Sequence, residues 1–198
     1  SYPVDRHDFR GTSVTKQHQI DNVMYNFTGI KKTQNTINYA DVFNFTKLKK
    51  YEYQLEKAIE GYAIENKSAI LHSASNFVVG HATSRVARKL GLTSIYEIRG
   101  FWHLTQATKK QGYMDSDHYK LSERFEIETA KQSDYVFTIT NALKQILVEN
   151  GVEESKIRVL PNAVDSNKFK VMNKDKDLEK ELGFQNSVVI GYIGSFVD

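Results

Sequence analysis

Apolar positions change their spacing several times along the chain, and each change marks an element. Residues 23–28 read as a first strand, with a weaker extended stretch near residues 38–45. A long helix is predicted over about residues 47–66, followed by the strand-length run Ala69-Ile70-Leu71-His72. Val79, Ala82, Val86 and Leu90 then recur at helical spacing while Arg85, Arg88 and Lys89 face away. Gly91 ends that helix, since it tolerates a left-handed backbone. Residues 93–98 are the next strand, 100–115 an irregular stretch, 117–132 a helix and 134–138 a strand. Leu143, Ile146, Leu147 and Asn150 form the inner face of a helix capped by Thr140 or Asn141 and stopped by Gly151. A strand at 157–160 closed by Pro161, a short helix at 175–182 and an apolar strand at 187–193 complete the reading.

Strands separated by helices of ten to fifteen residues imply βαβ units. The expected fold is therefore α/β, a Rossmann-like parallel sheet with helices on both faces. In such sheets ligands bind beyond the carboxyl ends of the strands. That directs attention to residues 72–76, 99–103, 138–141 and 162–165.

Composition narrows the partners. With 198 residues, 40% hydrophobic, the chain can bury one substantial core and carry a fragment of a second domain. The 27 Lys and Arg are scattered among 24 acids, which argues against a nucleic-acid partner. The densest basic run, Lys47, Lys49 and Lys50, precedes Glu52 and Glu56; a solvated helix face accounts for it, weak attraction to anionic lipid headgroups being the alternative. The absence of cysteine excludes disulfides and thiolate metal sites and is compatible with a reducing cytoplasm. No apolar run approaches the roughly 18 residues that span a bilayer. The first eight residues have no apolar signal core and begin without methionine, which reads as an internal start.

Two strand ends concentrate polar chemistry. His72-Ser73-Ala74-Ser75-Asn76 leads from a strand into a helix, where amides and hydroxyls hold an anion or a sugar hydroxyl, or where Ser75 or Asn76 simply caps the helix. Glu97-Ile98-Arg99-Gly100-Phe101-Trp102-His103 combines an acid, a guanidinium, a glycine, the only Trp and a His. Arg99 suits charge developing on a departing diphosphate; the competing arrangement packs Phe101 and Trp102 inward and pairs Glu97 with Arg99. No metal site is expected: His7 with Asp5 and Asp8, and Asp115-Ser116-Asp117-His118, lack ligand spacing. Nucleophile-elbow, phosphate-loop and dinucleotide glycine motifs are absent.

Several segments together resemble one family. Leu71-His72-Ser73-Ala74-Ser75, Ala87-Arg88-Lys89-Leu90-Gly91-Leu92 and Tyr96-Glu97-Ile98-Arg99-Gly100-Phe101-Trp102 are followed by Ser133-Asp134-Tyr135-Val136-Phe137-Thr138-Ile139-Thr140 and Lys156-Ile157-Arg158-Val159-Leu160-Pro161-Asn162-Ala163-Val164-Asp165. In that order they resemble the N-terminal, acceptor-side domain of family 4 (group 1) GT-B glycosyltransferases, over about residues 69–196. Residues 189–196 are similar to the opening strand of the family's C-terminal domain. Ala74 stands where family members commonly carry a second His, Arg99 where many have His, and Ala163 where a glycine follows Asn162.

The resemblance implies a retaining transferase that moves a sugar from a nucleotide diphosphate to an acceptor hydroxyl, without a bound metal or other cofactor. Residues 1–185 would be a partial N-terminal acceptor-side domain and 186–198 the truncated start of the donor-binding domain. The isolated piece would then be inactive. Partners implied are a nucleotide sugar, held mainly by the C-terminal domain of the same parent chain, and a glycan or glycolipid acceptor. The implied setting is bacterial surface polysaccharide or lipopolysaccharide assembly, in the cytoplasm or peripherally on the cytoplasmic membrane face. Arg99 would face phosphates or sugar across the cleft and, with His72, carry the chemistry. Ser73, Gly100, Trp102, His103, Thr140 and Asn162 would line the substrate. A sugar-nucleotide epimerase of the same architecture and a non-catalytic sugar-binding module are the alternatives, because fold alone does not separate them.

Overall fold

The computed structural model describes residues 16–27, 44–74, 76–192 and 194. The expected extended stretch at 38–45 falls largely outside them, as do Asp5, His7 and Asp8. Residue contacts divide the chain into two units, Ser1–Pro161 and Asn162–Asp198.

The first unit begins with an antiparallel hairpin of β1 (Lys16–Ile20) and β2 (Val23–Phe27), paired from Lys16↔Phe27 to Ile20↔Val23. Asp21 turns it at φ 53°, a left-handed conformation that Asp tolerates better than most residues. A helix, α1 (Phe45–Glu65), follows with Asn44 accepting from the Lys47 amide at 3.0 Å.

The rest of this unit is a parallel sheet in the order β3-β4-β5-β6. Its strands are β3 (Ile70–Ala74), β4 (Thr93–Ile98), β5 (Tyr135–Thr138) and β6 (Ile157–Val159). The crossovers carry α2 (Phe77–Leu90), α3 (Trp102–Lys109) with α4 (Asp117–Gln132), and α5 (Asn141–Glu149). Each strand adds to the same edge as the last, so right-handed crossovers bring their helices to a common face. Leu71, Tyr96, Ile98, Val136 and Ile157 point into that face and are buried with Ile127, Ala130 and Leu147 of the helices or beside Val86 and Ala87. By the two-residue period of a strand, Ile70, His72, Ile95, Glu97, Phe137 and Arg158 lie on the other face.

Helix ends follow the capping chemistry of the sequence. Asn76, Ser116 and Thr140 accept from amides in the first turns of α2, α4 and α5. Gly91 (φ 68°) and Gly151 (φ 82°) supply the left-handed stops. Arg85 and Lys89, expected to face away, are half exposed yet reach across to α1. Glu52–His81 (3.1 Å), Glu56–Arg85 (3.2 Å) and Glu60–Lys89 (2.5 Å) repeat every four residues on both helices, one polar contact per turn, the last two of them ion pairs.

Two expectations fail. The stretch after Gly100 is not irregular: it forms α3 and a 3-10 turn at Tyr113–Asp115. No strand forms over residues 187–192, where Val188 and Ile190 are each 94% exposed; an extended run without a neighbouring strand has no ladder to join. The second unit, taken by itself, holds α6 (Lys176–Glu181), capped by Asp175 at 3.0 Å from the Leu178 amide and flanked by a Lys174–Glu179 ion pair. Asp165 closes a turn by accepting from the Asn167 amide at 2.9 Å.

Candidate functional site

Register builds the site. Pairing Ile95 with His72 and Glu97 with Ala74 sets His72 and Glu97 on one face as diagonal neighbours. Their side chains meet, His72 Nε2 to Glu97 Oε2 at 3.0 Å. Arg99, just past the end of β4, donates from Nε to the other oxygen, Oε1, at 2.7 Å. The His72 ring stands edge-on to Phe137 of β5, with centroids 5.7 Å apart and planes at 81°.

One carboxylate thus bridges an imidazole and a guanidinium. The hydrogen bond from Arg99 is the main influence holding the Glu97 carboxyl below the usual carboxylate range, and the same bond pushes Arg99 further up. Glu97 is therefore ionised at neutral pH. His72 and Arg99 have side chains 43% and 60% exposed, so this polar group is open to an incoming ligand. Gly100 follows, and a Cβ placed there would meet nothing within 4 Å. The two arrangements weighed for this stretch divide. Glu97 does pair with Arg99 and Phe101 is buried, whereas Trp102 remains 46% exposed.

The other expected contacts lie elsewhere. Ser73 points to the opposite face from His72, is buried, and donates to the Ile95 carbonyl at 3.2 Å. His103 is 2% exposed, packed between Phe101 and Tyr119, with Nε2 4.0 Å from Glu123. Its Nδ1 has no hydrogen-bond partner among the described residues, and burial pushes its pKa down to about 4. Thr140 follows β5, the strand beside β4, is exposed, and caps α5 through its hydroxyl at 3.2 Å from the Leu143 amide. Asn162 is exposed and belongs to the second unit.

The step from β3 into α2 is also settled in detail. Asn76, at φ 100°, turns its Oδ1 to the Val78 and Val79 amides at 3.0 and 3.4 Å. The Phe77 amide donates to Glu126 of α4. The Gly80 amide takes the Asn76 carbonyl at 3.1 Å. The Phe77, Val78 and Val79 amides of the first turn of α2 are thus engaged within the protein, which takes away most of the donors that an anion cradle at this helix end would use.

Glu126 itself was not foreseen. Its carboxyl is buried behind β4, where the Tyr96 hydroxyl donates to it, and burial pushes its pKa up to about 7. Gly80 makes the enclosure possible, since a Cβ there would come within 2.6 Å of the Tyr96 ring and 2.7 Å of Thr129. Of the Glu97 bridge, the pairing with Arg99 was one of the two arrangements weighed, whereas the contact with His72 was missed. That contact depends on the register of β3 against β4, which no single segment carries.

Among the described residues no group of three or more His, Asp or Glu is placed to hold a metal, and no described helix is long and apolar enough to cross a membrane. No curated protein matches the sequence significantly. Among solved structures, UDP-GlcNAc 2-epimerase from Methanocaldococcus jannaschii is 22% identical with a TM-score of 0.40, over 55% of this chain and 27% of that one. The UDP-GlcNAc 2-epimerase from Neisseria meningitidis, bound to UDP-GlcNAc, is 15% identical with a TM-score of 0.44, over 69% of this chain and 36% of that one. The chain thus spans well under half the length of either. The sequence profile described as Glycosyltransferase Family 4 matches residues 24–168, taking in the whole parallel sheet and the His72–Glu97–Arg99 cluster. This chain belongs to Glycosyltransferase Family 4.

Proposed function

We propose that the chain is the acceptor-side part of a two-domain transferase that moves a sugar from a nucleotide diphosphate to an acceptor hydroxyl with retained configuration. The observation that carries this reading is the His72–Glu97–Arg99 cluster, open to solvent at the carboxyl side of the sheet and inside the segment matched to the family. Sugars are bound by planar polar groups that engage hydroxyls and by aromatic faces against their C–H surfaces. His72 and Arg99 supply the first, Trp102 the second, and Gly100 leaves room for the ring. Thr140 is a further polar contact in this scheme, while Ser73 and His103 support the strand and loop from behind. The donor is held mainly by a C-terminal domain of the parent chain, and closing the cleft excludes water. The acceptor is a glycan or glycolipid, the setting bacterial surface polysaccharide or lipopolysaccharide assembly at the cytoplasmic membrane face.

The test uses the intact parent protein with a panel of nucleotide sugars and candidate acceptors. Acceptor-dependent release of free nucleotide is expected. Conversion of the nucleotide sugar into its epimer, with no nucleotide released, would replace the transferase with the epimerase reading. Arg99→Ala in the parent should lower turnover on the order of a hundredfold; unchanged turnover removes Arg99 from the chemistry.

A further inference from the structure

Resting on that reading for the place of the site, we propose that Glu126 is a positioning residue for the His72–Glu97–Arg99 cluster, holding together from behind the sheet the two strand ends that carry it.

The tie is a closed ring of bonded groups. Ser73 and Tyr96 are register partners on β3 and β4, on the face opposite His72 and Glu97. The Tyr96 hydroxyl donates to Glu126 Oε2. The Phe77 amide, just past the end of β3, donates to the same carboxyl. Ser73 closes the ring by donating from Oγ to the Ile95 carbonyl at 3.2 Å. One buried carboxyl on α4 thus grips β4 directly behind Glu97 and the chain a few residues beyond His72.

That stretch of chain needs holding. Asn76 sits at φ 100° and ψ 141°, a conformation that a side chain makes costly and that persists only where the surroundings fix it. Its own Oδ1 engages the Val78 and Val79 amides, and Glu126 takes the Phe77 amide between. Releasing that amide frees the junction to relax, and His72 goes with it.

The charge on Glu126 is therefore a handle on the cluster. Tyr96 of β4 is the titratable group that it touches, and among the described residues no cation is paired with it. On α2, His81, Arg85 and Lys89 turn to Glu52, Glu56 and Glu60, and Arg88 acts on Asp134. On α4, Glu123 turns to the Tyr119 hydroxyl, against whose ring His103 of α3 packs. Ionisation would leave a buried charge with two neutral donors, so the ring must tighten or admit water, and the strand ends move either way.

The experiment follows the Gly100 amide and the Trp102 indole of the 198-residue chain by NMR, with no ligand added, in the wild type, Glu126→Gln and Tyr96→Phe. Gln keeps the size of the side chain and copies its neutral form. At pH 6 the wild type and Glu126→Gln should superimpose at both signals. By pH 8.5 they should diverge, the difference growing in with a midpoint of about 7. Titration of His72 itself is common to both proteins and drops out of that difference. Tyr96→Phe removes a donor that favours the anion, so its midpoint should lie at higher pH. Signals that coincide at both pH values, or differ equally at both, confine Glu126 to the core and overturn the proposal, as does a Tyr96→Phe midpoint that fails to rise. No substrate enters the measurement, so such a failure leaves the transferase reading where it stood. Epimerisation by the parent would replace that reading and leave the coupling intact.

Discussion

Tyr96 and Glu97 are neighbours on β4, and the strand sends them to opposite faces. On one face the Glu97 carboxylate meets Arg99 and His72 at the edge of solvent and is held below its usual pKa. On the other the Tyr96 hydroxyl meets the Glu126 carboxyl, walled in by α2 and α4, and burial pushes that group up to about 7. The same functional group is thus charged at neutral pH beside a guanidinium at the edge of solvent, and holds its proton up to about pH 7 where helices pack. The difference lies in the company each keeps. A guanidinium stabilises the anion, whereas a hydroxyl and one amide offset only part of the cost of removing a carboxylate from water.

The largest expected effect comes from converting Glu126 to Gln. An unfolded carboxyl ionises near 4.5, the folded one at about 7. Below 4.5 both states hold the proton. Between those values only the folded state does, so stability falls as pH rises, by about 3 kcal/mol over the window. His103 runs the other way. Its folded pKa of about 4 lies below the ordinary 6.5, so the unfolded state gains a proton first as pH falls, and stability is lost from 6.5 downward. Over pH 4.5–6.5 the two slopes oppose, and the wild type should look flat. Urea unfolding of Glu126→Gln should unmask the His103 slope, with stability rising steeply with pH. A variant profile parallel to the wild type would show that Glu126 does not hold its proton.

Next in size is Tyr96→Phe, which removes the hydroxyl and leaves Glu126 with the Phe77 amide. The buried carboxyl then loses one of its two donors, at a cost of about 1–3 kcal/mol. The loss should be larger at pH 8 than at pH 5, because the ionised form depends more on the donor. A pH-independent loss would assign the effect to packing alone.

How much of this could be read from the sequence depends on whether one segment carried the signal. Gly91, Thr140 and Gly151 punctuate helices through their own chemistry, and strand 93–98 and helix 117–132 were placed to the residue. Helix α3 had no such mark, since Phe101 at its N-cap makes no side-chain cap, and Gly100 with Trp102, His103 and Thr105 reads as loop. Strand β1, Lys-Gln-His-Gln-Ile, has no apolar alternation and gains its conformation from its partner. The α1–α2 ladder was written in the spacing Glu52, Glu56, Glu60 against His81, Arg85, Lys89, but recognising it requires knowing that the two helices lie side by side. The site divides likewise. Alternation alone separates His72 from Ser73, whereas bringing Glu97 to His72 required strand order and register, which no single segment encodes.

The smallest expected effect tests the solvent side of the comparison. Glu97→Gln removes the charge that holds Arg99 and His72, yet the partners are exposed, water replaces the lost contacts and salt screens the attraction. The fold should lose less than about 1 kcal/mol at neutral pH. The sign follows from the lowered pKa. Glu97 contributes stability above the ordinary carboxylate value of 4.5, and that contribution fades as pH falls through its lower folded value, so wild type and variant should converge in acid. They should also converge at high salt, whereas the Glu126→Gln difference, enclosed behind the strand, should persist there. If Glu97→Gln cost as much as Tyr96→Phe and ignored salt, the cluster would be a structural brace, and its exposed donors would owe their positions to the fold's stability instead of to a ligand.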